Sequence, residues 1–266
     1  MQGICKQLLK NEKNSFIIDF FVVPLCSSII ITHNNMIMQR TFISGLFCIF
    51  AVSCFSQNLQ LHYAPRHGLV PDDFAQNYFI STVEMFRPDA WGSTFFFIDM
   101  AYNGNKGAVG SAYWEIARDL KYWDAPVAAH IEYNGGLFNG GFIPNAYLVG
   151  VSAGTMFRGV ILGSYVAYKY HAFNKTSNDV QWTVTWEWTG LNKKLTACGF
   201  MDLWTENKDR VAGAGGKKLV LLSQPQFWYN LTRSFSLGTE IEVSNRFYPQ
   251  SDRLYILPTI AAKWVF

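Results

Sequence analysis

The feature that most constrains this chain is a two-residue alternation of side-chain character within segments of about ten residues. The segment VQWTVTWEWTG, residues 180–190, places three tryptophans on one parity and threonine and glutamate side chains on the other. Successive side chains of a β-strand point to opposite faces, so this segment has one aromatic face and one polar face. Its length exceeds that of most soluble strands and approaches the ~9–11 residues that a tilted strand needs to cross a bilayer.

The same period extends along the chain and predicts twelve strands. Most odd-numbered strands are followed by long polar or glycine-rich loops, such as PRHGLVPDDFAQ and GGLFNGGFIP, and most even-numbered strands by short links. Long loops on one rim and tight turns on the other are typical of outer-membrane barrels. The sequence therefore predicts an all-β fold, a twelve-stranded antiparallel transmembrane β-barrel of outer-membrane type. The predicted strands are residues 58–64, 77–87, 91–101, 107–118, 126–134, 145–155, 160–170, 180–189, 194–205, 217–229, 233–243 and 253–266.

Either face of these strands could in principle point outward. A soluble, lipocalin-like barrel would bury the tryptophans, and this alternative stays open at the level of sequence. The strand length favours the apolar face outward, because a closed sheet pairs every backbone amide and can then lie in hydrocarbon. Aromatic residues near strand ends would form interfacial girdles. They are Trp91, Tyr133, Trp182, Trp188, Trp228 and Tyr229.

The last predicted strand ends in an alternating apolar face that includes Trp264 and the C-terminal residue, Phe266. A terminal aromatic residue that closes such a strand resembles the signature by which outer-membrane barrels are recognised by their assembly machinery. Trp264 and Phe266 are therefore predicted to be a membrane-assembly signal. The predicted partners are outer-membrane lipid, this machinery and a small solute.

The N-terminus has the layout of an export signal. After Met38 come one basic residue, an apolar run over residues 42–52 and small residues before Gln57, which predicts a cleaved secretory signal peptide. A genuine N-terminal anchor and lipidation at Cys54 remain alternatives. The chain is predicted to have three parts. Residues 1–37 are an over-extended start or an extra N-terminal segment, and residues 38–56 are the signal peptide. Residues 57–266 form the barrel in a bacterial outer membrane.

Cysteine content and net charge argue against a disulfide-bonded exported protein and against a nucleic-acid-binding protein. Removal of the predicted leader leaves Cys198 as the last of five cysteines, so the exported chain has no intramolecular disulfide. The formal net charge of the whole chain is +3, and loss of the leader brings it closer to neutral. A near-neutral chain gives no electrostatic reason to predict nucleic-acid binding.

The polar parity of the predicted strands is rich in carboxylates and carries aromatic rings among them. Carboxylates accept hydrogen bonds from hydroxyls and amines, and aromatic rings stack on flat or sugar-faced solutes. This mixture suits a small neutral polar solute or a cation and disfavours anions. The alternative is a network that merely fills the barrel. The predicted lumen residues are Glu84, Phe86, Phe95, Phe97, Asp99, Glu115, His130, Glu132, Glu187, Asp202, Trp204 and Glu240.

Six segments carry a resemblance to a known family: YFISTVEMFRPDAWGSTFFFIDMAY, SAYWEIARDLKYW, HIEYNGG, LTACGFMDLWT, LLSQPQFWYN and SLGTEIEVSN. Together they resemble an outer-membrane family defined by a domain of unknown function, which is similar to the Tsx-like nucleoside-specific channel-forming proteins. The resemblance covers most of residues 59–266. It implies a twelve-stranded barrel and passive uptake of nucleosides or similar small solutes. The positions that match the acid and aromatic pattern are Glu84, Phe86, Phe95, Phe97, Asp99 and Glu115, and Asp202 with Trp204.

No catalytic residue, metal site or cofactor is predicted. His67 lies in the first long loop near Asp72 and Asp73, an arrangement that an acid/base pair could use, and His130 shares a face with Glu132. No spacing of His and Cys supports a zinc site. The predicted function is an outer-membrane channel for passive uptake of small polar solutes. A non-transporting structural or adhesive barrel and, further away, a hydrolase active at the rim are the alternatives.

Overall fold

The described chain forms one antiparallel sheet that closes on itself. The computed structural model describes residues 56–172, 177–208, 215–248 and 251–266, so the predicted N-terminal segment and nearly all of the predicted signal peptide lie outside the described residues. A short helix, α1 (Arg66–Leu69), follows the first strand. Among the residues described, no helix is long and apolar enough to span a membrane. The strands are β1 (Ser56–Ala64), β2 (Tyr78–Asp89), β3 (Gly92–Ala101), β4 (Ser111–Leu120), β5 (Val127–Phe138), β6 (Gly141–Phe157), β7 (Val160–His171), β8 (Ser177–Gly190), β9 (Leu195–Asn207), β10 (Lys217–Ser223), β11 (Gln226–Asn230), β12 (Phe235–Asn245), β13 (Leu254–Pro258) and β14 (Ile260–Val265).

These elements make twelve barrel strands, because two of the twelve are interrupted. β10 and β11 both pair with β9 and β12, and β13 and β14 both pair with β12. The breaks fall beside Pro225 and Pro258, which have no backbone N–H to donate to a ladder. Pro225 still accepts a hydrogen bond from the Ile241 amide at 2.9 Å. The predicted twelve-stranded antiparallel barrel is therefore confirmed.

The seam of the barrel joins its first and last strands. β1 pairs with β2 along one edge and with β14 along the other, with Leu59 opposite Trp264. The amide of Phe266 donates to the carbonyl of Gln57 at 3.0 Å, which carries the pairing to the final residue. Closure leaves no free sheet edge along this seam, as a sheet surrounded by hydrocarbon requires.

The two rims differ in the length of their connections. The long segments join β1 to β2, β3 to β4, β9 to β10 and β12 to β13, and they are residues 65–77, 102–110, 208–216 and 246–253. The opposite, short-turn rim has residues 90–91, 121–126, 158–159, 191–194 and 231–234 as its links, together with the ends of β1 and β14. Outer-membrane barrels place the short turns in the periplasm and the long loops outside.

The connection between β5 and β6 corrects a prediction. The segment GGLFNGGFIP was expected to be a long loop, but both strands continue into it and leave only Asn139 and Gly140 as the turn. Gly140 has φ +92°, which is open to glycine, and Asn-Gly between two strands is a strong hairpin signal. Conversely, the link after the third strand was expected to be short, yet it runs from residue 102 to residue 110.

Burial in this barrel is inverted relative to a soluble protein. Among the described residues, buried polar and charged side chains outnumber buried apolar ones, and large apolar side chains cover the outside. In β8, Gln181 and Thr183 on one parity are 2% and 5% exposed, whereas Trp182 and Trp188 on the other parity are 42% and 37% exposed. The polar parity therefore lines the interior and the apolar parity faces outward, as the sequence predicts.

One predicted girdle residue is placed wrongly by the sequence. Trp228 is 0% exposed and points into the barrel, where the Lys263 ammonium lies 4.2 Å from the centre of its ring. It shares its face with Gln226, so the parity of β11 assigns it to the interior. Trp91 and Tyr122 form an exposed pair at the short-turn rim, with ring centres 5.2 Å apart.

A charge on the outer face at mid-strand is expected to destabilise the barrel. Val166 lies at the middle of β7 and is 48% exposed on the outward face. Val166→Arg should lower the free energy of unfolding from lipid bilayers by about 2–4 kcal/mol, because the guanidinium enters hydrocarbon. Leu191→Arg, in a short turn, is the matched control and should change it by less than about 1 kcal/mol. Equal effects in urea titrations would contradict the assignment of the outer face.

Candidate functional site

The interior contains a cavity of about 360 Å³. Its wall includes Gly92, Lys121 and Pro126, which belong to the short-turn rim, so the cavity extends to that end of the barrel. Ten of the twelve predicted lumen residues line it; Glu187 and Trp204 do not.

The wall formed by β2, β3 and β4 alternates acids with phenyl rings across the strands. Glu84, Phe97 and Glu115 are register partners, so they form one row across three strands. The neighbouring row brings Phe86 beside Phe95. The rings of Phe95 and Phe97 are 5.8 Å apart between centres. A solute in the cavity therefore meets flat apolar surface and carboxylate oxygens side by side.

A second group of side chains surrounds His130. Its Nδ1 lies 2.9 Å from Asp119 Oδ1, and its Nε2 lies 3.1 Å from Glu132 Oε2. The imidazole stacks on Tyr165 with ring centres 4.0 Å apart, and the Tyr165 hydroxyl donates to Glu132. The Ser152 hydroxyl donates to Asp119 and not to the imidazole. This arrangement fixes His130 as a bridge between two carboxylates rather than as a base beside a serine nucleophile.

Four further acids on the cavity wall accept hydrogen bonds from neutral side chains. The pairs are Thr82 with Asp99, Tyr113 with Glu115 at 2.8 Å, Thr183 with Asp202 at 2.5 Å, and Gln226 with Glu240 at 2.7 Å. Within the described part of the chain, none of these four acids forms an ion pair with a lysine or arginine. The hydrogen-bond donors to these four acids are therefore uncharged side chains.

The interior lysines lie apart from this cavity. Lys169 donates to Gln181 at 2.7 Å, and its ammonium lies 4.6 Å from the ring centre of Trp204, which is 8% exposed. Glu187 lines a much smaller cavity of about 20 Å³ together with Lys263. Trp204 and Glu187 therefore do not line the main cavity, although Glu187 lines the smaller one together with Glu84. In the ranges described, no group of three or more His, Cys, Asp or Glu side chains could hold a metal ion.

The long-loop end of the interior is closed by a contact that we call the latch, formed by Arg66, Glu242 and Tyr248. Arg66 donates to Glu242 at 2.9 Å and to the Tyr248 hydroxyl at 2.7 Å, and that hydroxyl donates to Glu242 at 2.9 Å. The side chains of Arg66 and Glu242 are 7% and 4% exposed. Phe74 packs against Tyr248, with ring centres 5.3 Å apart. The loop between β1 and β2 is thus folded inward and tied to β12.

Comparison with known proteins assigns the family. Residues 56–266 match the family model described as Domain of unknown function, DUF5020. The chain belongs to the DUF5020 family. A search of the curated proteins found no match. Among solved structures, the barrel is similar to the NanC porin at 12% identity and TM-score 0.52, covering 79% of this chain and 99% of that one. It also matches the KdgM porin at 8% identity and TM-score 0.46, over 79% of this chain and 99% of that one.

The family match confirms the predicted outer-membrane family of unknown function, and the likeness to the NanC porin shows the same porin-like barrel fold. An identity this low carries the fold and not the solute. Assignment of a solute to the DUF5020 barrel therefore rests on the residues of its own lumen.

Electrostatics hold the latch of the DUF5020 barrel in one charge state. Burial is the largest single influence on the pKa of Arg66 and acts to lower it, but the Glu242 carboxylate and the phenols of Tyr248 and Tyr78 together raise that pKa above its ordinary value. Burial and the same carboxylate raise the pKa of Tyr248. The guanidinium therefore stays charged and the phenol stays protonated at neutral pH.

Several residues of the DUF5020 lumen escape the sequence prediction. Asp119 shares the parity of Glu115 but lies one residue beyond the predicted end of its strand, and β4 extends to Leu120. Tyr165 shares the parity of Lys169, a signal that could have found it. Nothing in the period-two pattern marks Arg66, because its position depends on how a loop folds.

The histidine considered for acid/base chemistry in the first loop does not form the pair that its sequence neighbours suggest. His67 donates from Nδ1 to the carbonyl of Phe74 at 2.7 Å. Asp73 instead accepts hydrogen bonds from Arg253 at 2.6 Å and Tyr255 at 2.9 Å. The described contacts therefore give His67 a role in shaping the loop.

Removal of one latch partner is expected to destabilise the barrel strongly. Arg66→Met leaves the buried Glu242 carboxylate unpaired and should lower the free energy of unfolding by about 3–5 kcal/mol. The double variant Arg66→Met/Glu242→Leu should recover most of that loss, since no buried charge remains.

Denaturant titration in detergent micelles measures both changes. The control is Arg253→Met, which removes an arginine whose side chain is 61% exposed and which pairs with Asp73, so a change below about 1 kcal/mol is expected. If Arg66→Met and Arg253→Met had the same small effect, the latch would not be a buried ion pair in solution.

Proposed function

We propose that this protein is an outer-membrane channel for the passive uptake of small polar solutes, with nucleosides as the first candidates. The observation that carries the proposal is the acid and aromatic cavity inside a closed barrel with a porin-like fold. Its volume of about 360 Å³ lies in the range of roughly 300–1,000 Å³ typical of pockets for small molecules.

The chemistry of the wall suits a nucleoside. A nucleobase has two flat faces, which Phe95 and Phe97 could cover, and ring or exocyclic N–H groups that donate to carboxylates. Ribose hydroxyls donate to the same kind of acceptor, and Glu84 and Glu115 flank Phe97 in its row. Nucleosides come first among the candidates because the family that the six sequence segments resemble is itself similar to the Tsx-like proteins.

Passage requires the latch end to open. Arg66, Glu242 and Tyr248 tie the loop between β1 and β2 across the long-loop end, while the cavity extends to the short-turn rim. A channel of this kind conducts when the loop moves and closes when it returns. The latch equally favours a second candidate function, a non-transporting structural barrel in which the loop never moves.

The outward face supports placement in the outer membrane of a bacterium. Trp264 and Phe266 are 49% and 65% exposed on that face at the short-turn rim, where the assembly machinery could contact them. Large aromatic residues are enriched where a barrel meets the lipid headgroups. Outer-membrane lipid and the assembly machinery are therefore the proposed partners, and residues 38–56 the proposed export signal.

Conductance in planar bilayers tests the proposal. The purified barrel should form channels whose current is blocked by uridine, because the nucleoside occupies the cavity. Phe97→Ala should weaken this block by about 5- to 150-fold, given that base–aromatic stacking contributes ~1–3 kcal/mol. Phe96→Ala is the matched control, since Phe96 lies on the outward parity of the same strand, and it should leave the block unchanged.

The structural alternative makes the opposite prediction. If neither the native barrel nor Arg66→Met opened under any applied voltage, the channel proposal would be wrong. If channels opened and uridine blocked Phe97→Ala as well as the native protein, the barrel would be a channel without this solute path.

A further inference from the structure

We infer that the lumen cavity is a binding site for small organic cations, in particular an ammonium group joined to an aromatic ring by a short alkyl chain. This inference rests on the proposed function only in that a solute must reach the cavity, and it narrows the solute class. Three features of the cavity support it: the carboxylates of the wall, a buried acceptor that lacks a donor, and the phenyl surface on the same wall.

The charge of the cavity wall is strongly one-sided. Seven carboxylate side chains line the cavity, and among the described residues the cationic or imidazole side chains that line it are Lys121 and His130. Lys121 belongs to the link at the short-turn rim, and His130 is already shared between Asp119 and Glu132. A solute that carries positive charge could therefore form an ion pair with acids such as Asp202 and Glu240, which accept hydrogen bonds from neutral side chains.

Two buried acceptors on one face of β5 indicate where a donor is missing. Glu132 has a side chain only 2% exposed; its Oε2 receives both His130 and Tyr165, whereas its Oε1 has no hydrogen-bond partner. Asn134, two residues along the same face, also has an unpartnered Oδ1, but it lies outside the cavity wall. Buried acceptors without donors cost free energy, and an ammonium group brings three donors.

The phenyl surface lies on the same wall as the Glu132 carboxylate. Phe95 of β3 is the register partner of Ala117 in β4, and Ala117 is the register partner of Glu132 in β5. Phe95 and Glu132 therefore lie in one row, two strands apart. A ligand with an ammonium group at one end and a ring at the other could engage both at once, with stacking or cation–π contact to the wall.

A bare metal ion fits this site less well than an organic cation. In the part of the chain that the structure describes, no three acidic, histidine or cysteine side chains converge on a common point. The cavity of about 360 Å³ is also far larger than an ion. Its size and its apolar surface instead match an arylalkylammonium ion.

Three ligands that share one ring but differ in charge test the inference. They are tyramine, a cation; 4-ethylphenol, which is neutral; and 4-hydroxyphenylacetate, an anion. Calorimetric titration of the detergent-purified full chain at low salt should give tyramine an affinity at least about tenfold above that of 4-ethylphenol. The anion should bind more weakly than the neutral ligand, and added salt should weaken tyramine binding.

Variants of the acids locate the site. Glu132→Gln keeps the shape and removes the charge, so the affinity for tyramine should fall by about fivefold or more while 4-ethylphenol is unaffected. Asp202→Asn is the second variant, because Thr183 can still donate to its amide oxygen. Asp124→Asn removes one negative charge at the short-turn rim outside the cavity wall and should leave all affinities unchanged.

The outcomes separate this inference from the proposed function. Equal affinities for tyramine and 4-ethylphenol, or tyramine binding that survives both Glu132→Gln and Asp202→Asn, would overturn the cation site. Tyramine binding in detergent with no conductance in bilayers would uphold the site and overturn the channel. A uridine-blocked current together with equal affinities for the three phenols would uphold the channel and overturn the cation site.

Discussion

The whole structure depends on the need to pair every backbone amide of a sheet that hydrocarbon surrounds. An open sheet would expose a row of unpaired N–H and C=O groups to lipid, whereas the pairing of β1 with β14 removes that edge. Once the sheet is closed, alternate side chains are divided between lipid and lumen. The apolar residues must then point outward, and the polar ones, such as Gln60 and Ser244, become the buried interior.

This division explains why the sequence predicts so much of the interior. Parity alone places Glu84, Phe97 and Glu115 on the lumen wall, since strand period and membrane together leave one choice of face. Trp228 shows the limit: its parity was readable, but its residue type suggested a girdle. The turn at Asn139 and Gly140 was missed because neighbouring glycines concealed a hairpin signal.

The latch could not be predicted for a different physical reason. Arg66 reaches Glu242 through a loop whose path depends on tertiary packing against Tyr248, and no local period encodes that contact. The sequence reports strand faces because they depend on neighbours two residues away. It does not report contacts that join positions 176 residues apart.

The interior therefore combines two kinds of polar contact with different consequences. At the long-loop end, charges are paired and buried, which holds the loop in place. In the cavity, carboxylates such as Asp202 accept hydrogen bonds from neutral donors. The first kind holds the loop across the end of the barrel, and the second offers hydrogen-bond acceptors to a solute. The latch therefore bears on whether the channel opens, and the cavity acids bear on which solute binds.

Labelling of single cysteines along β4 tests the inverted barrel most directly. In a background without the native cysteines and in lipid bilayers, a water-soluble thiol reagent should modify cysteines at Glu115 and Ala117. It should spare those at Trp114 and Ile116, where probes should instead be quenched by lipid-phase quenchers. Reactivity that shows no alternation, or that is high at positions 114 and 116 and low at 115 and 117, would contradict the account.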